Sequence, residues 1–260
     1  MNATETNQGI LVDNLCKSFG GNQVLDHITL QLDRGNTYGL VGNNGAGKST
    51  LINLLCDLLK SDSGTIRLLG KSYSEHEYAI KKQLGVLTED VPLQESLTAY
   101  DYLRFVGMLY GLDSTDLRQR IDSLFEYFFD DPDDLQKRCG DYSTGMQKKL
   151  GVIAAVLHKP DLLLLDEPFS GLDPSSSRQM IDFLKAYGNE QRIVLVSSHN
   201  LTYLQEVISS VLVLHDQEIL FQGTLEDFTD NGENLMEQKL FNMLSGKQKN
   251  LNQLSWLMDR

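Results

Sequence analysis

Apolar residues recur along this chain in two rhythms. Thr37-Tyr38-Gly39-Leu40-Val41, Leu84-Gly85-Val86-Leu87, Leu162-Leu163-Leu164-Leu165, Ile193–Ser197 and Val211–Leu214 are short runs almost free of charge. Runs this short and this apolar predict strands buried on both faces. Ile10–Leu15 and Val24–Leu32 read as strands split by Gly20-Gly21-Asn22. The second half of Val24–Leu32 alternates apolar and polar residues, as a half-exposed strand does, so the chain begins with an antiparallel pair. Thr65–Leu69 predicts a further strand, entered through the turn Ser61-Asp62-Ser63-Gly64 and ended by Gly70. Glu218–Phe221 faces Val211–Leu214 across His215-Asp216-Gln217, a hairpin-like arrangement.

Helical spacing fills the gaps between the strands. Leu51, Leu54, Leu55 and Leu58 form one stripe, and Tyr78–Gln83 predicts a short helix. From Ser96 to Leu157 the pattern is mainly helical, with stripes at Leu97, Tyr100, Leu103, Leu109 and at Leu117, Ile121, Leu124, Phe128. Ser143 is an N-cap for a helix running through Leu150, Ile153 and Val156. Asp130-Asp131-Pro132-Asp133-Asp134 lacks the glycine and closing Glu of a calcium loop and reads as a solvated turn. Ser177–Tyr187 and Leu201–Ser210 predict helices, as does the tail after Gly223, with Leu235, Leu240, Met243 and Leu244 as its stripe. Strands alternating with helices give an α/β class. We expect one domain over 1–260: a core lobe at 10–91 and 159–223, an inserted helical lobe at 92–158, and a tail at 224–260.

Composition narrows the partners. With 260 residues, 41% of them hydrophobic, the chain can build a full core. Asp+Glu number 36 against Lys+Arg 23, a net charge of −13, and the longest basic clusters are Lys148-Lys149 and Lys81-Lys82. Such a chain is repelled by nucleic acid, which is not expected as a partner. Cys16, Cys56 and Cys139 are scattered, without metal-ligand spacing, and read as free thiols in a reducing compartment. The polar residues 1–9 contain no signal-peptide apolar region, and no apolar run approaches the ~20 residues that span a bilayer.

The chemistry concentrates first in Gly42-Asn43-Asn44-Gly45-Ala46-Gly47-Lys48-Ser49-Thr50. It follows a predicted strand and opens a predicted helix, the context of a phosphate-binding loop. Glycines let backbone N–H groups close around phosphate oxygens, and the helix N-terminus adds its positive dipole end. Lys48 can reach the β- and γ-phosphates, and Ser49 can offer its hydroxyl to Mg²⁺. Phe19, just before the glycine turn, could stack a purine or be an ordinary core aromatic. Asp166-Glu167 ends the four-leucine strand. That places Asp166 near a metal beside the phosphate loop and Glu167 where it could polarise water. Tyr142-Ser143-Thr144-Gly145-Met146-Gln147, Ser170-Gly171-Leu172-Asp173 and Ser197-Ser198-His199-Asn200 complete the ordered set.

In this order the motifs resemble the nucleotide-binding subunit of an ATP-binding cassette (ABC) transporter, over about residues 10–223. The resemblance implies a P-loop NTPase (RecA-like) core, an N-terminal antiparallel β-subdomain and an inserted α-helical subdomain. It implies an ATPase using ATP and Mg²⁺. Gly42–Thr50 is then the Walker A loop, with Phe19 stacking adenine. Glu89 stands at the Q-loop position, where Gln is usual; Gln94 is the alternative. Ser49, Glu89 and Asp166 would hold the metal. Ser143 and Gly145 belong to the signature, Asp173 to the D-loop, Glu167 is the catalytic carboxylate and His199 the switch histidine. The signature departs from Leu-Ser-Gly-Gly-Gln, and its Ser-x-Gly-Met form is similar to bacterial antibiotic-exporter cassettes. One phosphate loop and one signature imply a second cassette, as homodimer or heterodimer. A transport role implies a polytopic membrane permease holding this subunit on the inner face of the cell membrane. A soluble cassette ATPase is the alternative. A GTPase is disfavoured because no N-K-x-D motif occurs. His27, His76, His158 and His215 are expected to be surface or packing residues.

Overall fold

The structure, a computed structural model, describes residues 8–244. The readings of residues 1–7 and of the tail beyond 244 lie outside them. A long hairpin opens the fold: β1 (Gln8–Phe19) pairs antiparallel with β2 (Asn22–Asp33). On its other edge β1 pairs antiparallel with β4 (Ser63–Leu68), so the order is β2-β1-β4. Both hairpin strands run further than the apolar pattern shows. Polar ends such as Lys17, Ser18, Asn22 and Gln23 continue the ladder, because ladder bonds use the backbone whatever the side chain.

The second sheet has six strands: β5 (Leu84–Leu87), β6 (Leu162–Asp166), β7 (Ile193–Ser197), β3 (Asn36–Val41), β8 (Ser210–His215) and β9 (Glu218–Thr224), in that order. The first five are mutually parallel and β9 is antiparallel to β8. This is the expected α/β fold with its antiparallel companion sheet. The apolar runs serve both faces. Leu162, Leu164, Leu195, Leu40 and Leu212 pack toward the small sheet and α1 (Lys48–Leu55). Leu163, Leu165, Val194, Val196 and Val211 pack on the opposite side, against α5 (Thr144–Val156) and α6 (Pro174–Tyr187). Alternate residues therefore face two cores, which is why no polar alternation shows in the sequence.

Between β5 and α5 the chain leaves the sheet to form α3 (Ala99–Leu109), α4 (Ser114–Phe128) and two short 3₁₀ turns. Thr98 caps α3 and Asp113 caps α4 through their side chains. The acidic stretch becomes the 3₁₀ turn Pro132–Gln136, with Asp131 accepting from the Asp133 N–H at 2.9 Å.

Four helical expectations are corrected. Leu201–Ser210 is not one helix: α7 (Leu201–Leu204) is a single turn, and Ser210 already begins β8. Leu204, Val207, Ile208 and Val211 mimic a helical stripe, but Ser209 donates its N–H to Thr37 O at 2.8 Å, which draws the chain into the sheet. Leu58 lies beyond α1 and is 60% exposed. Tyr78–Gln83 is shifted: α2 spans Tyr73–Lys81. After the single turn α8 (Leu225–Phe228), the tail helix α9 (Met236–Leu244) buries Met236 and Leu240, while Leu235 is 72% exposed outside it. No described helix is long and apolar enough to cross a membrane.

Candidate nucleotide site

Parallel pairing brings the carboxyl ends of β3, β5, β6 and β7 to one edge of the large sheet. Asp166 is in register with Ser197, and Leu40 with the same Ser197. The loops leaving these four strands carry the phosphate loop, Thr88-Glu89, Glu167 and His199. That edge is where open parallel sheets bind ligands.

The loop after β3 is forced tight by its neighbours. A Cβ on Gly42 would meet Leu214 O at 2.1 Å. Gly47 caps α1 with φ 104°, a left-handed conformation that glycine adopts without strain. Lys48, the first residue of α1, is buried. Its Nζ donates to Gly42 O at 3.0 Å and Asn43 O at 3.1 Å, folding back over its own loop. Burial lowers its pKa, while the carboxylates of Glu167, Asp166 and Glu89 oppose the shift.

Asp166 ends β6 with 3% exposure and accepts a hydrogen bond from the Ser197 hydroxyl. Glu167 follows with φ 52°, a left-handed backbone that costs a non-glycine residue about 1 kcal/mol or more. Its N–H donates to Ser197 O at 3.1 Å, which holds the turn. The strained turn directs the carboxylate into the cleft. His199 Nδ1 stands 2.8 Å from Glu167 Oε2, at ion-pair distance but off the hydrogen-bonding direction. Glu167 Oε2 is thus a buried acceptor without a directed donor. Such an oxygen keeps its lone pairs free to accept a proton.

A cleft of about 550 Å³ gathers Phe19, Asn44, Gly45, Gly47, Lys48, Ser49, Thr50, Glu89, Asp166, Glu167 and His199. Gly42, Asn43 and Ala46 shape the loop without lining the cleft. Phe19 sits at the hairpin tip, 45% exposed, with Lys17 Nζ 5.3 Å from its ring centre. It is not a core aromatic. Gln94 does not line the cleft, and Glu89 does. The oxygen donors of Ser49, Asp166 and Glu89 fit Mg²⁺, a hard cation that takes carboxylate and hydroxyl ligands.

Ser143, Gly145 and Asp173 lie elsewhere and form a second group. Ser143 caps α5, accepting from Met146 N–H at 3.3 Å. Asp173 caps α6, accepting from Ser176 N–H at 2.9 Å, and that bond holds its carboxyl below the usual range. The segments beside the two caps pack closely: a Cβ on Gly145 would meet Gly171 O at 2.6 Å.

Sequence reasoning missed three residues. Val24 and Ser170 line the cleft. Lys148, read only as part of the short basic cluster Lys148-Lys149, is 3% exposed. The available signal was its spacing: Lys148, Gly151, Val152 and Ala155 share the face of α5 that packs on β5. Among the other histidines, His158 packs, stacked on Tyr110 with ring centroids 3.6 Å apart.

Residues 25–170 match the family described as ABC transporter. The chain is 33% identical over 205 residues to the ABC transporter ATP-binding protein NatA of Bacillus subtilis (strain 168), covering 78% of this chain and 83% of the relative. It is 30% identical over 220 residues to the bacitracin transport ATP-binding protein BcrA of Enterococcus faecalis, covering 84% and 70%. Its fold is similar to a solved ATP-binding subunit of an ABC transporter, with TM-score 0.83 and 27% identity over 90% of this chain and 99% of that one.

Proposed function

The chain belongs to the ABC transporter family, as an ATP-binding and ATP-hydrolysing subunit, and from that premise we propose how its residues divide the work. Phe19 stacks the adenine. The Gly42–Thr50 backbone and Lys48 hold the phosphates, and Ser49, Asp166 and Glu89 hold Mg²⁺. When bound, the metal draws electron density from the phosphate oxygens. Glu167 takes the proton from an attacking water. As the water oxygen bonds to the γ-phosphorus, the bond to the β–γ bridging oxygen breaks and ADP leaves with that electron pair. His199 and Lys48 stabilise charge on the transferring group.

Ser143, Gly145 and Asp173 do not line the cleft of their own chain. We assign them to the cleft of a second cassette, where the α5 N-terminus would face the γ-phosphate. The division into a core lobe (10–91 and 159–223), a helical lobe (92–158) and a tail (224–260) follows this scheme.

A permease is the proposed membrane partner. A second cavity of about 270 Å³ lies between the turn carrying Glu89 and the helical lobe. It is lined by Leu58, Val91, Pro92, Tyr102, Val106 and Tyr110, among others. A short helix from the permease fits such a groove. Pro92, Tyr102 and Tyr110 give it an apolar and aromatic lining. Leu93, Tyr100 and Tyr102 also pack on the core, and Phe105 and Met108 are exposed at 54% and 59%. The relative named for bacitracin transport and the Ser-x-Gly-Met signature favour export. The subunit would then lie at the inner face of the membrane.

The observation that carries this reading is the meeting of Lys48, Ser49, Asp166, Glu167 and His199 in one cleft. Fractionation tests its membrane half: the protein should sediment with membranes from native cells and remain soluble when expressed alone. A protein soluble in both would favour the uncoupled ATPase.

A further inference from the structure

Lys148 is a buried cation that the scheme above leaves without a task. It leaves the first turns of α5, and its Nζ donates to Thr88 O at 3.3 Å, to Glu89 O, and to Asp166 O at 3.5 Å. Its acceptors are thus all backbone carbonyls, on two loops that bear proposed metal ligands. Among the described residues no carboxylate lies within ion-pair distance of it. Asp166, Glu89, Glu167 and Asp90 are the acidic groups whose charges act on it. Burial lowers its pKa and those four carboxylates oppose the shift. The perch is rigid, because α5 and β5 pack closely: a Cβ on Gly85 would meet Ala155 O at 2.2 Å.

Residue 89 carries a carboxylate facing a cleft that already holds Asp166 and Glu167 and, on the proposed reading, receives a triphosphate. A further negative charge there opposes phosphate binding. Burying an ammonium is costly unless it is hydrogen-bonded and its charge is used. The two costs cancel if the cation stands behind the anion.

We propose that Lys148 is a positioning residue and the internal counter-charge of the nucleotide site. It fastens the Thr88-Glu89 turn to the end of β6 and makes a carboxylate at position 89 compatible with a bound triphosphate. This rests on the reading of the cleft as the ATP site. Lys148 touches neither substrate nor metal and acts through Glu89 and Asp166.

The test is a double-mutant cycle on ATP affinity, measured by calorimetry at low salt in EDTA, so that metal binding does not enter. Lys148→Gln should weaken ATP binding about tenfold, and Lys148→Arg, which keeps the charge, should stay within about threefold of wild type. In the Glu89→Gln background, Lys148→Gln should cost threefold or less. Glu89→Gln alone should tighten binding about threefold at low salt, with the gain shrinking as salt rises. Should Lys148→Gln fail to fold, the same cycle is run with Lys148→Met, which fills the buried position with a stem of similar length and no charge. An equal loss from the Lys148 variant in both backgrounds, or a Glu89→Gln affinity weaker than wild type, overturns the proposal. Wild-type protein that binds no ATP overturns the assignment of the cleft itself, and this proposal with it.

Discussion

His158 should make the fold acid-sensitive in a defined window. Its ring stacks on Tyr110, and Nε2–H donates to Leu84 O at 3.1 Å, which leaves Nδ1 buried without a partner. Burial therefore lowers its pKa from the usual 6.5 to about 4, with Arg120 nearby adding to the effect. The unfolded chain takes up the proton first, as pH falls through about 6.5. The native ring follows only near 4, so stability is lost on acidification between those values. At pH 5 linkage gives about 2 kcal/mol, and because the ring is only partly buried, solvent screening reduces this to about 1 kcal/mol. For a chain of this size that is a fall in Tm of about 2–4 °C. The perturbation is His158→Phe, which keeps the stack and removes the titration. Its loss of the Leu84 bond lowers stability by a similar amount at every pH, so the offset is not diagnostic. The difference in slope is. Thermal unfolding from pH 7 to pH 5 should show a smaller fall in Tm for the variant than for wild type, because the carboxylates and other histidines are common to both. Equal slopes would refute the placement of this ring as a buried neutral base.

Two further outcomes follow from the site. Lys48→Ala should abolish most ATP binding in a calorimeter, because the buried ammonium is the proposed phosphate contact; wild-type affinity would remove Lys48 from the site. Leu58→Glu should release the protein from native membranes while leaving ATP turnover of the isolated subunit within about twofold, since Leu58 is 60% exposed and lines the proposed permease groove and not the nucleotide cleft. Unchanged membrane sedimentation would place the docking surface elsewhere.

Much of this was legible in the sequence because the residues concerned are constrained locally. A strand, a glycine-rich turn and a helix start determine one another within a dozen residues, so Gly42–Thr50 could be read as a unit. The same holds for the four-leucine run that ends at Asp166. What stayed hidden depends on distant partners. The Leu201–Ser210 segment has a helical stripe, but its Ser209 N–H is claimed by Thr37, 172 positions away. Charge alone predicts exposure for Lys148, and only the fold shows three carbonyls meeting its ammonium. The strain at Glu167 is invisible as a letter, since φ 52° is set by how β6 and β7 end side by side. The separation of Ser143, Gly145 and Asp173 from the cleft likewise needed the packing of α5 on the Gly171 loop.

The central claim is that one buried carboxylate turns a nucleotide-binding cleft into an ATPase. A single-turnover experiment tests it most directly, with protein in excess over γ-labelled MgATP and with Glu167→Gln beside wild type. Glu167→Gln keeps the shape and removes the base. Wild type should release labelled phosphate. The variant should retain uncleaved ATP, with the rate of cleavage down at least ~10²-fold. Cleavage by Glu167→Gln at the wild-type rate would contradict the account and turn attention to Glu89, the other carboxylate in the cleft not bonded to a strand end.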